Sequence, residues 1–567
     1  HSRLSIIDLS RNGNQPMIST TKNYRIVYNG EIYNFLDIKK EINQNYDYQF
    51  QSNTDTEVLL AGIEVFGIKQ MLQKCEGMFA FAIWDNKNKI LHIARDRFGI
   101  KPLYYYLDNN YFVFSSELKP YKFFPKIDLQ IDLKSVDSFL KYNYIPAPLS
   151  IFQNIFKLQP GEYISINSKN RNIEKKFYWD VENLIYDKKN KNSNHNLSVN
   201  KVENLIGNSV SNHMISDVPV GTFLSGGIDS SLISVLAAKY STNKIKTFTI
   251  GFYDNEFDEA KYAKKIANYI GTEHHEHYFD EKDLINLIPN IGNYYDEPFS
   301  DSSQLPTLLI SKLASNHVKV VLTGDGGDEI FRGYNRYNWG NKLSTINNIL
   351  PQTTRSLFVK ILNNENVIRA IGALPILNSY QNSKDKIMKV LNLLKSKSNE
   401  ELYQILIENN YNNSDLIKDN NITNSKYLLI DKINLKSNFN LRVQITDIKN
   451  YLHNDILCKV DRASMSFGLE TRVPFLDNNI VDYMMQVTQD KSNNRLINNK
   501  QILKNILNKH LPKNLFNRKK MGFAVPLSKW LDKDLYSLID EIFSKANTQN
   551  IGIFEYNKLE NLLKNHR

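Results

Sequence analysis

The alternation of apolar runs with amphipathic stretches predicts strands and helices in turn along the second half of the chain. An apolar run ends at Phe223, and after a short turn Leu232, Ile233, Leu236 and Ala237 repeat at helical spacing. The same order recurs, with predicted strands at 246–252, 274–278 and 318–323 and predicted helices at 197–214 and 258–270. Strands that alternate with helices form parallel, doubly wound sheets, so we expect one here.

The first part of the chain has a different pattern, richer in short strands. We predict strands at 24–28, 79–85, 89–94 and 111–116, the first of them ending at an Asn-Gly pair, and a capped helix at 55–63. Further along, 188–200 is a polar run of Asn, Lys and Ser, typical of an exposed linker or loop. From 337 to 440 we expect helices, without residues whose chemistry can be identified.

Length, charge and cysteine content narrow the class of protein. A chain of 567 residues should hold two or more domains. A net charge of +11 would suit nucleic acid, but the lysines are spread out without one dense basic block, so we expect no nucleic-acid partner. Two cysteines argue for a reducing compartment. Because no apolar run reaches bilayer length and no signal-peptide pattern is present, we expect a cytoplasmic protein without a membrane partner.

The turn after the strand that ends at Phe223 has the composition of an anion site. It reads Ser225-Gly226-Gly227 and leads directly into the predicted helix. Glycines let backbone N–H groups approach an anion, and a helix N-terminus adds unpaired donors and partial positive charge. This predicts a phosphate cradle, although Ser-Gly-Gly alone would also serve as a helix cap. Asp229 would be repelled by phosphates unless a cation lay between them, and Mg²⁺ is the expected ion.

A second glycine-rich loop carries further carboxylates. The predicted strand 318–323 ends in Gly324–Glu329, which reads Gly-Asp-Gly-Gly-Asp-Glu. Two glycine-rich turns, each closing an apolar strand and each carrying Asp, indicate one nucleotide site at the carboxyl edge of a parallel sheet.

These two loops also carry a resemblance to a known family. Ser225–Ser230 resembles the pyrophosphate loop of the ATP-pyrophosphatase superfamily, and Leu322–Glu329 is similar to the corresponding loop of glutamine-hydrolysing asparagine synthetases. The resemblance covers nearly the whole chain. It implies an α/β protein with an N-terminal-nucleophile type α/β/β/α sandwich, incomplete here, at 1–165. A linker at 166–200 and a synthetase domain at 201–567, a doubly wound parallel sheet with added helices, would follow.

The resemblance assigns roles in the synthetase domain. Asp229 and Asp328 would hold Mg²⁺. Asp325, where some members of the family have Glu, would be a catalytic carboxylate, and Lys520 would contact the phosphates and the adenylate. Leu224 and Ile250 would bind adenine through backbone groups. The residues implied to bind ATP are Leu224, Ser225, Gly226, Gly227, Asp229, Ser230, Ile250, Thr323 and Gly324.

In the first domain the resemblance is to class-II glutamine amidotransferases. It implies that Arg3 binds the α-carboxylate of glutamine and Asp55 its α-ammonium group. Asn29 and Gly30 would form the oxyanion hole, and Glu31 would help to hold the amide. Asn-Gly alone is more often a hairpin turn. The longer run Asn-Gly-Glu-Ile-Tyr-Asn, followed by a Thr-Asp-x-Glu helix start, is far more specific.

The family's nucleophile is an N-terminal Cys, and the chain has none at its start. It begins at His1 in what reads as the middle of a domain, so we expect a fragment or processed product whose Cys lies on a short upstream stretch. Cys75 is expected to be a small buried core residue, and Cys458 lies in the other domain. The chain as given is therefore expected not to hydrolyse glutamine.

Three further segments are assigned to structure as well as to the site. Arg95–Tyr104 is expected to hold a turn and the domain junction. The loop 295–303 would line the acceptor pocket and also cap a helix through Asp301 or Ser302. A buried ion-pair network, in preference to a lining of the ammonia route, is expected from Arg462, Glu470 and Arg472.

The function implied is asparagine synthesis. ATP would activate L-aspartate as a β-aspartyl-adenylate, and ammonia from L-glutamine would arrive through an internal channel, giving AMP, pyrophosphate and glutamate. ATP and Mg²⁺ are the expected cofactors, and a homodimer is left open. One alternative is the same chemistry on another carboxylate, such as a uronic-acid sugar, and another is ammonia-dependent synthesis. A non-catalytic glutamine or nucleotide sensor is a third, against which the intact Ser225–Ser230 loop argues.

Overall fold

The first part of the chain folds into two antiparallel sheets in the computed structural model, which describes residues 1–186, 197–253, 258–362, 390–408, 416–418, 439–518 and 535–566. Its strands are β1 (Met17–Ile18), β2 (Tyr24–Ile32), β3 (Gly77–Asp85), β4 (Ile90–Arg95), β5 (Tyr104–Leu107), β6 (Phe112–Ser115), β7 (Ile155–Lys157), β8 (Glu162–Asn167) and β9 (Ile173–Phe177). The larger sheet has the order β1-β2-β3-β4-β8-β9 and the smaller β6-β5-β7. Its helices are α1 (Phe35–Asn45), α2 (Asp55–Phe66), α3 (Ile68–Lys74), α4 (Leu133–Tyr142) and α5 (Asn183–Tyr186).

Alternating side chains of the strands separate this part into layers, because successive residues of a strand face opposite sides. On β3, Phe79 and Phe81 pack among residues of α1 and α2, whereas Ala80 and Ala82 face the smaller sheet. On β5 the same alternation brings Tyr105 against the larger sheet.

The flanking tyrosines of β5 complete the layering. Tyr104 and Tyr106 pack on the far side of the smaller sheet, with Val136 of α4. The layers therefore follow the order helix, sheet, sheet, helix, which confirms the predicted α/β/β/α sandwich.

The second part of the chain is built on a parallel sheet. Its strands are β10 (Val220–Phe223), β11 (Lys246–Phe252), β12 (Glu273–Phe279), β13 (Val320–Leu322) and β14 (Glu470–Arg472). They lie in the order β12-β11-β10-β13-β14 and all neighbours are parallel. The chain runs from β10 to β12 on one side and returns to β13 and β14 on the other, so the strand order reverses between β10 and β13.

Helices cover both faces of this sheet. The helices described in this part of the chain are α6 (Val199–His213), α7 (Ile228–Tyr240), α8 (Ala260–Ile270), α9 (Glu281–Ile285), α10 (Ile291–Tyr294), α11 (Gln304–Ser315), α12 (Gly327–Ile330), α13 (Asn335–Ile349), α14 (Gln352–Leu362), α15 (Asn399–Ile407), α16 (Phe439–Thr446), α17 (Leu457–Met465), α18 (Asn478–Val487), α19 (Asn494–Ile497), α20 (Gln501–His510), α21 (Lys513–Phe516), α22 (Tyr536–Ile542), α23 (Lys545–Ile551) and α24 (Tyr556–His566). A π-helix, Asp447–Ile456, leads into α17. Leu232 and Leu236 of α7 belong to one core, and Leu308 and Leu309 of α11 to another. The doubly wound arrangement is thus confirmed.

The structure extends or shifts several predicted elements. Strand β2 does not end at Asn29 but continues to Ile32, because its partner β3 is long enough to pair with it as far as Gly77. Helix α11 begins at Gln304 with Ser303 at its N-cap position, so neither of the predicted cap residues, Asp301 and Ser302, is the N-cap. Part of the interval 166–200 is strand β9, which pairs with β8. The domain boundaries themselves stay a prediction.

Buried ion pairs join the two parts. Lys101 Nζ lies 2.9 Å from Asp461 Oδ1, and both side chains are buried. Upstream, the guanidinium of Arg95 donates to the carbonyls of Gly99, Lys101 and Leu158 and holds the turn in place. This confirms the structural role expected for the Arg95–Tyr104 segment. Among the described residues, none of the helices is both long and apolar enough to cross a membrane.

We expect Lys101→Met to lower the free energy of unfolding by about 3–5 kcal/mol, because it leaves the Asp461 carboxylate buried without its cation. Chemical denaturation measures this change. The double variant Lys101→Met/Asp461→Leu removes both charges and should recover most of the loss. A single variant within about 1 kcal/mol of the wild type, as for a surface pair, would contradict the assignment.

Candidate active sites

The first glycine loop forms a tight turn between β10 and α7. Gly226 has a φ of +74°, in the left-handed region that favours glycine, and a Cβ there would lie 3.0 Å from Ala263 N. The hydroxyls of Ser225 and Ser230 lie 3.0 Å apart, and the Ser225 amide donates to Ser230 Oγ. The loop is thus held in place at the N-terminus of a helix of 13 residues, an arrangement that suits phosphate oxygens.

The second glycine loop touches the first. A Cβ on Gly324 would lie 2.8 Å from Asp229 Cβ and from the Ser230 amide, and a Cβ on Gly327 would lie 2.8 Å from Asp229 Oδ1. Thr323 leads into this loop and is buried, with its amide donating to Arg472 O. The carboxyl ends of β10 and β13 therefore meet, as the sequence predicted.

Asp229 and Asp328 share one cation in the structure. Lys500 Nζ contacts Asp229 Oδ2 and lies 2.6 Å from Asp328 Oδ1. Two carboxylates that reach one cation from neighbouring loops fit Mg²⁺, which takes few protein carboxylates and completes its shell with water and phosphate oxygens. A cluster of three or more His, Cys, Asp or Glu side chains suited to a metal does not occur in the described part of the chain.

Sequence reasoning missed Lys500. It lies 271 residues beyond Asp229, and only the packing of α20 against α7 brings it to the loop. The local sequence Asn498-Asn499-Lys500 has no feature that distinguishes this lysine from the many others. What distinguishes Lys500 in the structure is its backbone, because Asn499 and Lys500 both have a φ of +57°.

The predicted adenine contacts lie where β11 extends past β10. Of the residues of β11, Lys246–Phe248 pair with β10, and the Leu224 amide donates to Phe248 O. Ile250 lies beyond that pairing. The side chains of Leu224 and Ile250 are buried in the two cores, so backbone groups alone are available there, and the adenine contact stays a prediction.

Lys520 lies outside the described residues, but Arg518, two residues before it, reaches the first glycine loop. Arg518 Nη2 donates to Ser225 O at 3.1 Å and to Glu259 at 2.7 Å, and its guanidinium stacks over the Tyr262 ring.

A second charged group lies on the same side of the sheet, close to Asp325. Lys459 Nζ is 3.3 Å from Asp301 Oδ1 and 2.7 Å from Ser303 Oγ. Burial raises the pKa of Asp325, while the positive charge of Lys459 opposes that rise. Burial and the Asp301 charge raise the pKa of Asp455 to about 8. This group of charges occupies the region where the acceptor was expected.

The other half of the 295–303 loop does not face this group. Asp296 lies 3.3 Å from Arg462, and Glu297 contacts Lys157 of the first domain. Asp296 and Glu297 thus tie the loop to the domain junction, and only its Asp301–Ser303 end reaches Lys459. The role of that end as an acceptor pocket stays a prediction.

The glutamine-site residues gather where β2 meets α2. Asp55 accepts hydrogen bonds from Tyr28 Oη at 2.7 Å and from the Ile32 amide at 2.9 Å. Glu31 is buried beside it, and burial raises the pKa of both carboxyls. Gly30 has a φ of +152°, and a Cβ there would lie 2.7 Å from Phe79 Cα. Their roles toward glutamine stay predictions.

Arg3 makes local contacts with the backbone, and burial raises the pKa of both cysteines. The guanidinium of Arg3 donates to the carbonyls of Ile7 and Ser10 and closes a local turn. Cys75 is a buried core residue, as expected, and burial raises the pKa of its thiol. Burial also raises the pKa of Cys458, to about 11.

Arg472 connects the two sites. Its Nε donates to Glu470 at 2.8 Å, its Nη2 lies 3.4 Å from Glu31, and its Nη1 donates to the carbonyls of His213 and Ile215. Arg472 is fully buried. Glu470 and Arg472 thus form the buried ion pair expected from the sequence, and it extends to Glu31 of the predicted glutamine site. Arg462 does not belong to this group, because it pairs with Asp296.

We expect Gly324→Ala to weaken ATP binding at least tenfold, about 1.4 kcal/mol, because the added Cβ pushes the two glycine loops apart. Titration of ATP with Mg²⁺ present measures this change. Gly292→Ala is the matched control, since a Cβ at that exposed glycine meets nothing within 4 Å. Equal ATP affinity of Gly324→Ala and the control would contradict the close approach of the loops.

We expect the contribution of His213 to the free energy of unfolding to fall between pH 7 and pH 5, because this histidine stays neutral in the fold. Burial lowers its pKa from 6.5 to about 3, and Arg472 adds to the shift. The unfolded state then binds more protons, so this stability is present above pH 6.5 and is lost as pH falls toward 3. The loss between pH 7 and pH 5 is about 2 kcal/mol. His213→Gln should lack that part of the pH dependence, and an unchanged dependence would contradict it.

Comparison with known proteins agrees with this geometry. Residues 201–567 match the family model described as asparagine synthase, and residues 1–179 match that described as a glutamine amidotransferase domain. Asparagine synthetase [glutamine-hydrolyzing] 1 of Bacillus subtilis (strain 168) is 31% identical over 96% of this chain and 82% of its own length. A relative from Methanocaldococcus jannaschii is 36% identical over 82% of this chain and 88% of its own length.

Among solved structures, a glutamine phosphoribosylpyrophosphate amidotransferase from B. subtilis is 15% identical with a TM-score of 0.21, over 47% of this chain and 65% of that one. The family matches rest on sequence and span both parts of the chain. The chain therefore belongs to the asparagine synthase family and is a carbon–nitrogen ligase with glutamine as the amide donor.

Proposed function

We propose that the protein makes L-asparagine from L-aspartate by way of a β-aspartyl-adenylate, with ATP and Mg²⁺. The observation that carries this proposal is the meeting of two glycine loops at the switch point of the sheet, with Asp229 and Asp328 on one cation. Such an edge binds nucleotides in other doubly wound proteins. Bond formation at the α-phosphorus needs the acceptor at the same edge.

The residues of the first loop would orient the triphosphate. Backbone donors at the start of α7 and the hydroxyls of Ser225 and Ser230 are available to phosphate oxygens. When bound, Mg²⁺ would neutralise phosphate charge, with Asp229 and Asp328 as its protein ligands. Lys520 is proposed to add positive charge where pyrophosphate leaves.

The charged group beside Asp325 supports an amino acid as the acceptor. Aspartate carries an ammonium group as well as carboxylates, and Asp301 and Lys459 offer both opposite charges 3.3 Å from each other. A uronic-acid sugar has no ammonium group for Asp301 to bind. An aspartate carboxylate oxygen would attack the α-phosphorus, and pyrophosphate would leave.

Ammonia would then attack the activated carbonyl carbon and release AMP. Two small cavities at the domain junction, both bordered by Tyr104, Asn454, Cys458 and Arg462, support an internal route between the two sites. Such a route keeps ammonia unprotonated, which matters because most ammonia is protonated in neutral water and the ammonium ion is not a nucleophile.

The test uses this chain with Mg·ATP and an ammonium salt, which replaces glutamine as the nitrogen source. We expect pyrophosphate release that depends on L-aspartate, with asparagine identified by mass. Asp325→Asn should lower kcat at least tenfold, about 1.4 kcal/mol in the barrier, if this carboxylate serves the reacting centre.

The control arm offers a uronic acid in place of aspartate. Pyrophosphate release with the uronic acid alone would contradict the proposed acceptor and identify the sugar carboxylate. If neither acceptor stimulates pyrophosphate release from a folded chain that binds ATP, aspartate would also be overturned as the substrate.

A further inference from the structure

Lys500 occupies the place where the proposed metal would sit. Its ammonium group contacts Asp229 and lies 2.6 Å from Asp328, and its side chain is 6% exposed. Mg²⁺ binds carboxylate oxygens at about 2.0–2.1 Å, using the oxygen lone pairs that would otherwise accept from the ammonium. The ammonium and the metal therefore exclude one another at these two carboxylates.

The position of Lys500 is built into the fold. The amide of Asn499 donates to Arg332 O and the amide of Lys500 donates to Phe331 O, which fixes both left-handed residues against the end of α12. A Cβ on Gly333 would lie 2.9 Å from Lys500 Nζ, so the glycine leaves room for the lysine.

The anchor of this segment is itself rigid. Arg332 is fully buried, with its Nε donating to Gln444 at 2.9 Å and its Nη1 donating to Asn494 at 2.7 Å. The lysine is thus presented to the two carboxylates by a fixed backbone, whereas a surface lysine would move freely.

Replacement of the Lys500 ammonium by a metal is unfavourable without nucleotide and favourable with it. Without nucleotide, a metal that displaced Lys500 would leave a buried ammonium group without a partner, which is costly. With ATP bound at the proposed site, phosphate oxygens would lie at the N-terminus of α7 and could accept hydrogen bonds from the displaced ammonium group.

We infer that Lys500 closes the metal position in the nucleotide-free chain and opens it when a metal–nucleotide complex brings phosphate oxygens. This inference rests on the proposed ATP site. It makes metal binding dependent on nucleotide, and by linkage each ligand favours the other.

Mn²⁺ is the probe for the test, with its binding followed by electron paramagnetic resonance in the absence of nucleotide. We expect the wild type to bind Mn²⁺ weakly and Lys500→Met to bind it at least tenfold more tightly. The double variant Asp229→Asn/Lys500→Met should lose the gain, because it lacks one of the proposed metal ligands. Lys500→Arg, which keeps the cation, should behave as the wild type.

Lys509→Met is the matched control, since Lys509 lies on α20, the helix that Lys500 directly precedes, and is ion-paired, 2.6 Å from Glu203, but lies away from the loops. Its Mn²⁺ binding should equal that of the wild type. An unchanged Mn²⁺ affinity of Lys500→Met would overturn the inference. Should that variant not fold, Lys500→Gln replaces it.

The wild-type chain provides an independent test. One Mn²⁺ bound without nucleotide and lost in Asp229→Asn would show an open metal position and overturn the inference without any change at Lys500. A separate titration with α,β-methylene ATP and Mn²⁺ tests the nucleotide site itself. Absence of any nucleotide binding would refute the proposed function, whereas normal binding with no effect of Lys500→Met would refute the inference alone.

Discussion

The synthetase site depends on the close approach of two loops that end neighbouring parallel strands. Strands β10 and β13 pair side by side, so their carboxyl ends place Ser225–Ser230 next to Gly324–Glu329. Only a residue without a side chain fits at Gly324, because a Cβ would lie 2.8 Å from both Asp229 and Ser230. This contact brings Asp229 within reach of the cation that Asp328 also binds. The predicted nucleotide loop, the proposed metal position and the proposed acceptor region all depend on that one approach.

Buried charges connect this edge to the glutamine site. Arg472 ends β14, at the margin of the same sheet, and reaches Glu31 in β2 of the first domain. Lys101 and Asp461 form a second buried pair across the junction. Removing one member of such a pair is costly, whereas the intact pair contributes little net stability. The pairs therefore fix the geometry of the junction more than they strengthen it.

Those strand bounds that depend on the local pattern of residues were predicted from the sequence. Strand 246–252 was predicted with the bounds that the structure has, because apolar alternation and flanking polar residues mark both ends. The continuation of β2 through Asn29 and Glu31 was not predicted, because it depends on the length of the partner strand β3.

The same distinction holds in the site. The two glycine loops have a local signature, and their place at one edge of the sheet was predicted because each of them closes an apolar strand. Lys500 has no such local signature, because its contact with Asp229 depends on a left-handed backbone and joins residues 271 positions apart. The division of the 295–303 loop, with Glu297 at the junction and Asp301 beside Lys459, likewise depends on tertiary packing.

The most direct test of activation at this edge follows one oxygen atom. L-aspartate labelled with ¹⁸O in its side-chain carboxylate would be incubated with the chain, Mg·ATP and an ammonium salt, and AMP would be analysed by mass. If the carboxylate attacks the α-phosphorus, one labelled oxygen stays on phosphorus when ammonia displaces AMP, so AMP should carry one ¹⁸O per asparagine formed. Asparagine formed together with unlabelled AMP, or with ADP as the nucleotide product, would contradict an adenylate intermediate.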